Sequence, residues 1–248
     1  MAQKQHVDAG KRLIVALDVP ALKEARAVVS ELDGLVSFFK IGLWMHVLPG
    51  IAELAGELVS SGKQVFWDVK GHDIPETLRG YTAAAGRAGF SFLTIHSNGE
   101  VTDEAIRSAI DGKKGTGLKI LAVTVLTSMS DEQAKSLYGV NSASALVAER
   151  ARRAIALGLD GVIASAREAA MIRKLAAERD RQDFLIVTPG IRPSGSTADD
   201  QKRITAPQEA IDNGADYLVV GRPILQAQDR KRAARAIIDE MQRAFDQR

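Results

Sequence analysis

Cysteine is absent from the 248 residues. That excludes a disulfide frame, a thiolate metal site and a cysteine nucleophile, and it is compatible with a reducing cytosol. No apolar run approaches ~18 residues, so no membrane-spanning helix is expected. Residues 1–11 are polar and lack an apolar h-region, so they read as a lead-in to the fold rather than a signal peptide. An excess of charge is missing too. The 33 Lys and Arg against 31 Asp and Glu leave a formal net charge of +2. The cations are spread along the chain, which argues against nucleic acid as a partner. Histidine occurs four times, never at metal-ligand spacing with a carboxylate pair, so no metal is expected. His96 is the plausible site histidine, and a satisfied core imidazole explains it equally well. There is no Gly-x-Gly-x-x-Gly turn or Walker loop and no Gly-x-Ser-x-Gly elbow. With no linker, low-complexity tract or break in composition, residues 1–248 read as one domain.

What is present is a repeated pattern. Short apolar runs fall at about 13–18, 37–42, 64–70, 92–97, 119–126, 161–165, 184–190 and 217–222. Helical patterns follow them at about 21–32, 49–61, 75–88, up to 111, 130–157, up to 179, 207–213 and 229–243. Most of the runs are continuous rather than alternating, as in strands covered on both faces of a parallel sheet. Eight strand–helix units in this length match a (β/α)8 TIM barrel. A doubly wound open sheet is the main alternative.

In such barrels the site lies at the C-terminal ends of the strands. Those ends carry Asp18, Lys40, Asp68 with Lys70, His96 with Ser97, Thr127 with Ser128, Ser165, Pro189-Gly190 with Arg192, and Gly221-Arg222. Each has a mild explanation, since loops must be wet and a lone Asp often forms a turn. Two Lys, two Asp and two Arg converging on one mouth favour an anionic ligand. Phosphate in barrels often sits at the loops after strands seven and eight. There Gly221 leaves room for close backbone approach, and Arg222 offers a bidentate fork. The polar stretch 193–205 has the composition of a loop that closes over a ligand.

Residues 65–77 hold the densest chemistry: Val-Phe-Trp-Asp-Val-Lys-Gly-His-Asp-Ile-Pro-Glu-Thr. On a regular strand Asp68 and Lys70 project together, while Trp67 and Val69 project the other way. Asp73 arrives in the turn before a helix near Pro75. Crowding charges without water is costly and seldom done for stability alone. A plain ion pair for Asp68 and Lys70, and a capping box over Asp73-Ile-Pro-Glu76, remain open.

Together these motifs resemble the orotidine 5'-phosphate decarboxylase family. Asp68-Val-Lys70-Gly-His-Asp73-Ile-Pro-Glu-Thr77 looks like its Asp-x-Lys-x-x-Asp-Ile-Pro-x-Thr signature. Phe-Lys40-Ile-Gly, Val-Thr-Val-Leu-Thr127-Ser-Met, Val-Thr-Pro-Gly-Ile-Arg192-Pro, Asp-Gln201-Lys-Arg-Ile and Gly221-Arg222-Pro support it. The likeness runs essentially end to end. One departure is Gly71, where the family has a bulky, often aromatic residue.

The resemblance implies cofactor-free conversion of orotidine 5'-monophosphate to UMP and carbon dioxide, the last step of pyrimidine nucleotide synthesis, in the cytoplasm. It implies Lys70 as proton donor to C6, with Asp68, Asp73 and Lys40 completing a charge array. Asp18 and Lys40 would hold the ribose hydroxyls, Thr127 the base, and Gln201, Gly221 and Arg222 the phosphate, with Arg192 near the closing loop. Asp73 and Thr77 would reach into the site of the other subunit of a homodimer. Two other readings stay open: a sugar-phosphate decarboxylase or aldolase on the same barrel, and a nucleotide-binding sensor that has lost catalysis.

Overall fold

Each apolar run forms a strand, and nearly every strand is shorter than its run. The computed structural model describes residues 7–193 and 205–248. Its strands are β1 Leu13–Ala16, β2 Phe38–Gly42, β3 Gln64–Gly71, β4 Phe92–His96, β5 Lys119–Val123, β6 Gly161–Ile163, β7 Leu185–Thr188 and β8 Tyr217–Val220. They pair in parallel and in chain order, and β8 closes on β1. The result is a (β/α)8 barrel rather than an open sheet.

The helices are α1 Leu22–Glu31, α2 Ile51–Ser60, α3 Pro75–Arg87, α4 Asp103–Gly112, α5 Asp131–Tyr138, α6 Ala143–Leu157, α7 Ala166–Ala177, α8 Pro207–Asp212, α9 Arg222–Leu225 and α10 Arg230–Gln247. Side-chain caps explain several starts: Thr102 for α4, Ser130 in a full capping box for α5, Ser142 for α6 and Asp229 for α10. The helical pieces expected over 130–157 are α5 and α6, divided where Gly139 adopts a left-handed conformation and ends α5. Three short pieces were not expected: 3-10 turns at Ala9–Lys11 and Leu43–Val47, and α9. The first corrects the lead-in. Ala9 is fully buried and its N–H donates to the Gln242 side chain, so the fold begins before Leu13.

Strand parity divides the apolar residues into layers. Ile14, Ala16, Phe38, Phe66, Phe92, Leu121, Val187 and Val219 fill the barrel. Phe92 meets Phe38 and Tyr217 edge-on at 4.9 and 5.0 Å between ring centres. The alternate residues face outward under the helices, in one cluster around β1, β2 and β8 and another around β4 to β6. The interior below the mouth is a packed plug, so polar side chains above it stand on a rigid floor.

Candidate functional site

Two residues up β2, β3 and β4 from the aromatic plug, the inward positions turn polar. Phe38 is followed on the same face by Lys40, Phe66 by Asp68, and Phe92 by Thr94. Lys40, Asp68 and Thr94 are all buried. Lys40 Nζ lies 3.4 Å from Asp18 Oδ1 and 3.5 Å from Asp68 Oδ2, and Lys70 Nζ lies 3.0 Å from Asp68 Oδ2. Asp18, Lys40, Asp68 and Lys70 therefore form one alternating line of charge across β1, β2 and β3.

The line holds because each charge has an opposite neighbour. Burial alone would push the Asp68 carboxyl up. The positive charges of Lys40 and Lys70, with hydrogen bonds from Lys70 and Thr94, outweigh it and hold the group below the usual carboxylate range. Behind the line, His46 stacks on Trp67 at 4.2 Å between ring centres. Burial, and then the Lys40 and Lys70 charges, depress its basicity against the pull of Asp68.

Asp68 and Lys70 do reach the same cavity, but not on a regular strand. The β3–β4 register pairs Trp67 with Leu93 and then Gly71 with Ile95, so four steps on β3 match two on β4. A bulge takes up the difference. Lys70 has φ +53, one of two positive values among the described non-glycine residues. Asp73 departs from the capping-box alternative: the N-cap of α3 is Ile74, without a side-chain cap, and Asp73 accepts its neighbour's N–H at 2.8 Å.

The charged line forms one wall of a cavity of about 610 Å³, whose lining also includes Thr127, Arg192, Gly221 and Arg222. That size suits a nucleotide-scale ligand. Arg192 is buried, not in solvent, and one of its guanidinium nitrogens donates to Ile191 O at 2.9 Å. Thr205 closes a short bridge to Ile191 across the ends of the 193–205 stretch. Gln201 lies outside the described residues. Asp73 and Thr77 are exposed and do not line the cavity. Asp73 instead borders a separate hollow with His72 and Glu100. His96 does not line the main cavity either; its ring lies 5.6 Å from that of His72.

Sequence reasoning missed four contributors. Val125 and Leu126 give the cavity an apolar wall. Gly42 leaves room for the charged pair: a Cβ there would overlap the Asp18 carboxylate and come within 3.0 Å of Lys40 Nζ, so those side-chain ends would have to shift. Thr94 contacts both Asp68 and the Lys70 backbone. The signal for Thr94 was available: it stands two residues beyond Phe92, as Asp68 stands beyond Phe66.

The model of the Orotidine 5'-phosphate decarboxylase / HUMPS family matches residues 11–237, which takes in the whole barrel. The chain belongs to the orotidine 5'-phosphate decarboxylase family. An orotidine 5'-phosphate decarboxylase of Afipia carboxidovorans is 46% identical over 231 residues, covering 93% of this chain and 94% of that protein. One from Rhodopseudomonas palustris is 43% identical over 244 residues, covering 98% and 100%. The crystal structure of the Lactobacillus acidophilus orotidine 5'-phosphate decarboxylase superposes with a TM-score of 0.78 at 34% identity, covering 93% of this chain and 99% of that one. Family membership and the charged cavity rest on separate observations, one from the whole chain and one from the side chains at a single mouth. Among the described residues, no helix is long and apolar enough to cross a membrane.

Proposed function

We propose that the protein decarboxylates orotidine 5'-monophosphate to UMP. The observation that carries this reading is the Asp18–Lys40–Asp68–Lys70 line on the wall of a nucleotide-sized cavity, in a chain of this family. The bond from C6 of the pyrimidine to its carboxylate breaks, carbon dioxide leaves, and the electron pair stays on C6. In this reading the Lys70 ammonium stabilises that pair and then protonates it. Solvent restores the Lys70 proton afterwards, so the net reaction consumes one proton.

Asp68 has two parts in this reading. It holds the Lys70 ammonium in place through their 3.0 Å ion pair, and it repels the substrate carboxylate. At 4 Å and an effective dielectric of ~20 that repulsion is ~4 kcal/mol, or about 10³ in rate. Enzymes commonly supply ~8–23 kcal/mol. Stabilisation of the developing anion and binding of the remote phosphate must therefore provide the rest. The phosphate is assigned to Arg222, the Gly221 backbone and Gln201, with Arg192 near the closing loop. A Cβ at Gly221 would meet only Ala16 at an ordinary 3.6 Å, so that glycine suits the approach of a ligand more than it serves internal packing. Asp18 and Lys40 are assigned to the ribose and Thr127 to the base.

Asp73 and Thr77 are assigned to the site of a second copy, which makes the working form a homodimer. Their exposure supports this, as do the exposed apolar side chains Leu43, Trp44, Val47 and Ile74 on the loops after β2 and β3. Ultraviolet absorbance of orotidine 5'-monophosphate mixed with the protein and excess chelator tests the activity. Loss of the orotate chromophore with formation of UMP is expected. An unchanged spectrum, with UMP still bound in calorimetry, would replace the enzyme by a nucleotide sensor; turnover that stops with chelator would refute the metal-free chemistry.

A further inference from the structure

We propose that Thr94 is a positioning residue that fixes the Asp68–Lys70 pair by serving both members through one hydroxyl. The proposal deepens the decarboxylase reading and rests on it for its kinetic consequences. Thr94 is fully buried on the inward face of β4. Its Oγ1 accepts the Lys70 backbone N–H at 2.9 Å and donates to Asp68 Oδ1 at 2.9 Å. The bulge explains why a side chain is needed there. Between the Trp67–Leu93 and Gly71–Ile95 pairs, residues 68–70 face the single residue 94. In a regular ladder the even-numbered residues of β3 direct their N–H groups to β2, as Gln64 does to Ser37 O. The bulge turns the Lys70 N–H to β4 instead, where the Thr94 hydroxyl takes the place of a ladder partner.

One oxygen thus performs three tasks. It satisfies the N–H of a residue held at φ +53, a conformation that is unfavourable for lysine without support. It orients Asp68 so that Oδ1 points to β4 while Oδ2 faces Lys70 at 3.0 Å and Lys40 at 3.5 Å. It also couples the backbone of the proposed proton donor to the carboxylate that holds its side chain. Valine has the same shape and can do none of these, whereas serine can do all three.

Kinetics of wild type, Thr94→Val and Thr94→Ser with orotidine 5'-monophosphate test the role. The expected result is a kcat for Thr94→Val lower by roughly 10- to 100-fold, the scale of a misplaced reacting group, with KM changed little and Thr94→Ser close to wild type. A kcat within about twofold of wild type, a loss confined to KM, or a serine variant as impaired as the valine variant would each overturn the proposal. Two further measurements do not need turnover. Hydrogen exchange at the Lys70 amide is expected to quicken in Thr94→Val. The carboxyl-carbon titration of Asp68 is expected to move to higher pH there and not in Thr94→Ser. The charged groups facing Asp68 are Lys40 from β2 and Lys70 from β3, with Asp18 beyond Lys40 and His46 behind. All are unchanged in both variants. Unaltered exchange and titration would refute the positioning role. Absence of turnover in the wild type would instead refute the decarboxylase reading, and exchange and titration would then decide the role of Thr94. If Thr94→Val does not fold, Thr94→Cys, with its weaker donor, replaces it under the same criteria.

Discussion

Lys70 and Arg222 occupy opposite ends of the proposed reaction, one at the reacting carbon and one at the phosphate. Their removal should therefore fail differently. Lys70→Ala is expected to lower kcat by at least about 10³-fold, the scale of a lost general acid, while UMP still binds in calorimetry. Substantial residual turnover would remove Lys70 from the acid role. Arg222→Ala is expected to weaken UMP far more than uridine, because only the nucleotide carries the group that a guanidinium fork recognises. Equal losses for both ligands would count against the phosphate assignment. Both residues line the same cavity, so each comparison reads one end of a single ligand.

At the level of elements, the strand ends act as a frame in which space is as specific as charge. Gly42 ends β2 beside the Asp18–Lys40 contact, and a methyl group there would displace the ends of both side chains. Gly42→Ala is expected to lower kcat/KM about tenfold or more, equivalent to ~1.4 kcal/mol of transition-state stabilisation, with little change in the unfolding midpoint. Wild-type kinetics would show that the Asp18–Lys40 spacing is not critical. The opposite end of the barrel has a purely structural brace. Lys113, at the end of α4, donates to both Asp160 oxygens at 2.8 and 2.6 Å, and Asp160 also accepts the Ile120 N–H at 2.7 Å where β5 begins. Asp160→Ala strands a largely buried ammonium and a strand N–H. It is expected to cost about 3 kcal/mol in denaturant unfolding, with kcat unchanged in the folded protein. A cost near zero would mean that water replaces the carboxylate.

For the whole molecule, the exposed pair Asp73 and Thr77 carries the main prediction. If each site borrows Asp73 from a second copy, Lys70→Ala and Asp73→Ala each inactivate both sites of their own dimer. Mixing the two variants under conditions of subunit exchange makes half of the dimers hybrid, and each hybrid has one intact site by symmetry. About a quarter of wild-type activity is then expected to return. No recovery after demonstrated exchange would place Asp73 in its own subunit's site or outside catalysis.

The sequence by itself determined the barrel and most of the side chains that meet at its mouth. Eight continuous apolar runs spaced by helical patterns specify strands covered on both faces, and the runs became β1 to β8 in order. The residues at the strand ends put Asp18, Lys40, Asp68, Lys70, Thr127, Arg192 and Arg222 at one mouth. That much is legible because periodicity and strand direction are local properties, carried by neighbours in the chain. Only the tertiary structure decided the rest. The bulge in β3 depends on how β3 meets β4, so a regular alternation over Asp68 to Lys70 could not reveal it. The burial of Arg192, the crowding of Gly42 by Asp18 and the double contact of Thr94 depend on atoms more than twenty residues away in sequence or on the closure of the barrel. Asp73 fits a helix cap when read along the chain, yet it stands exposed and leaves the cap to Ile74. A linear pattern records which face a residue takes, and only the packed barrel records what it meets there.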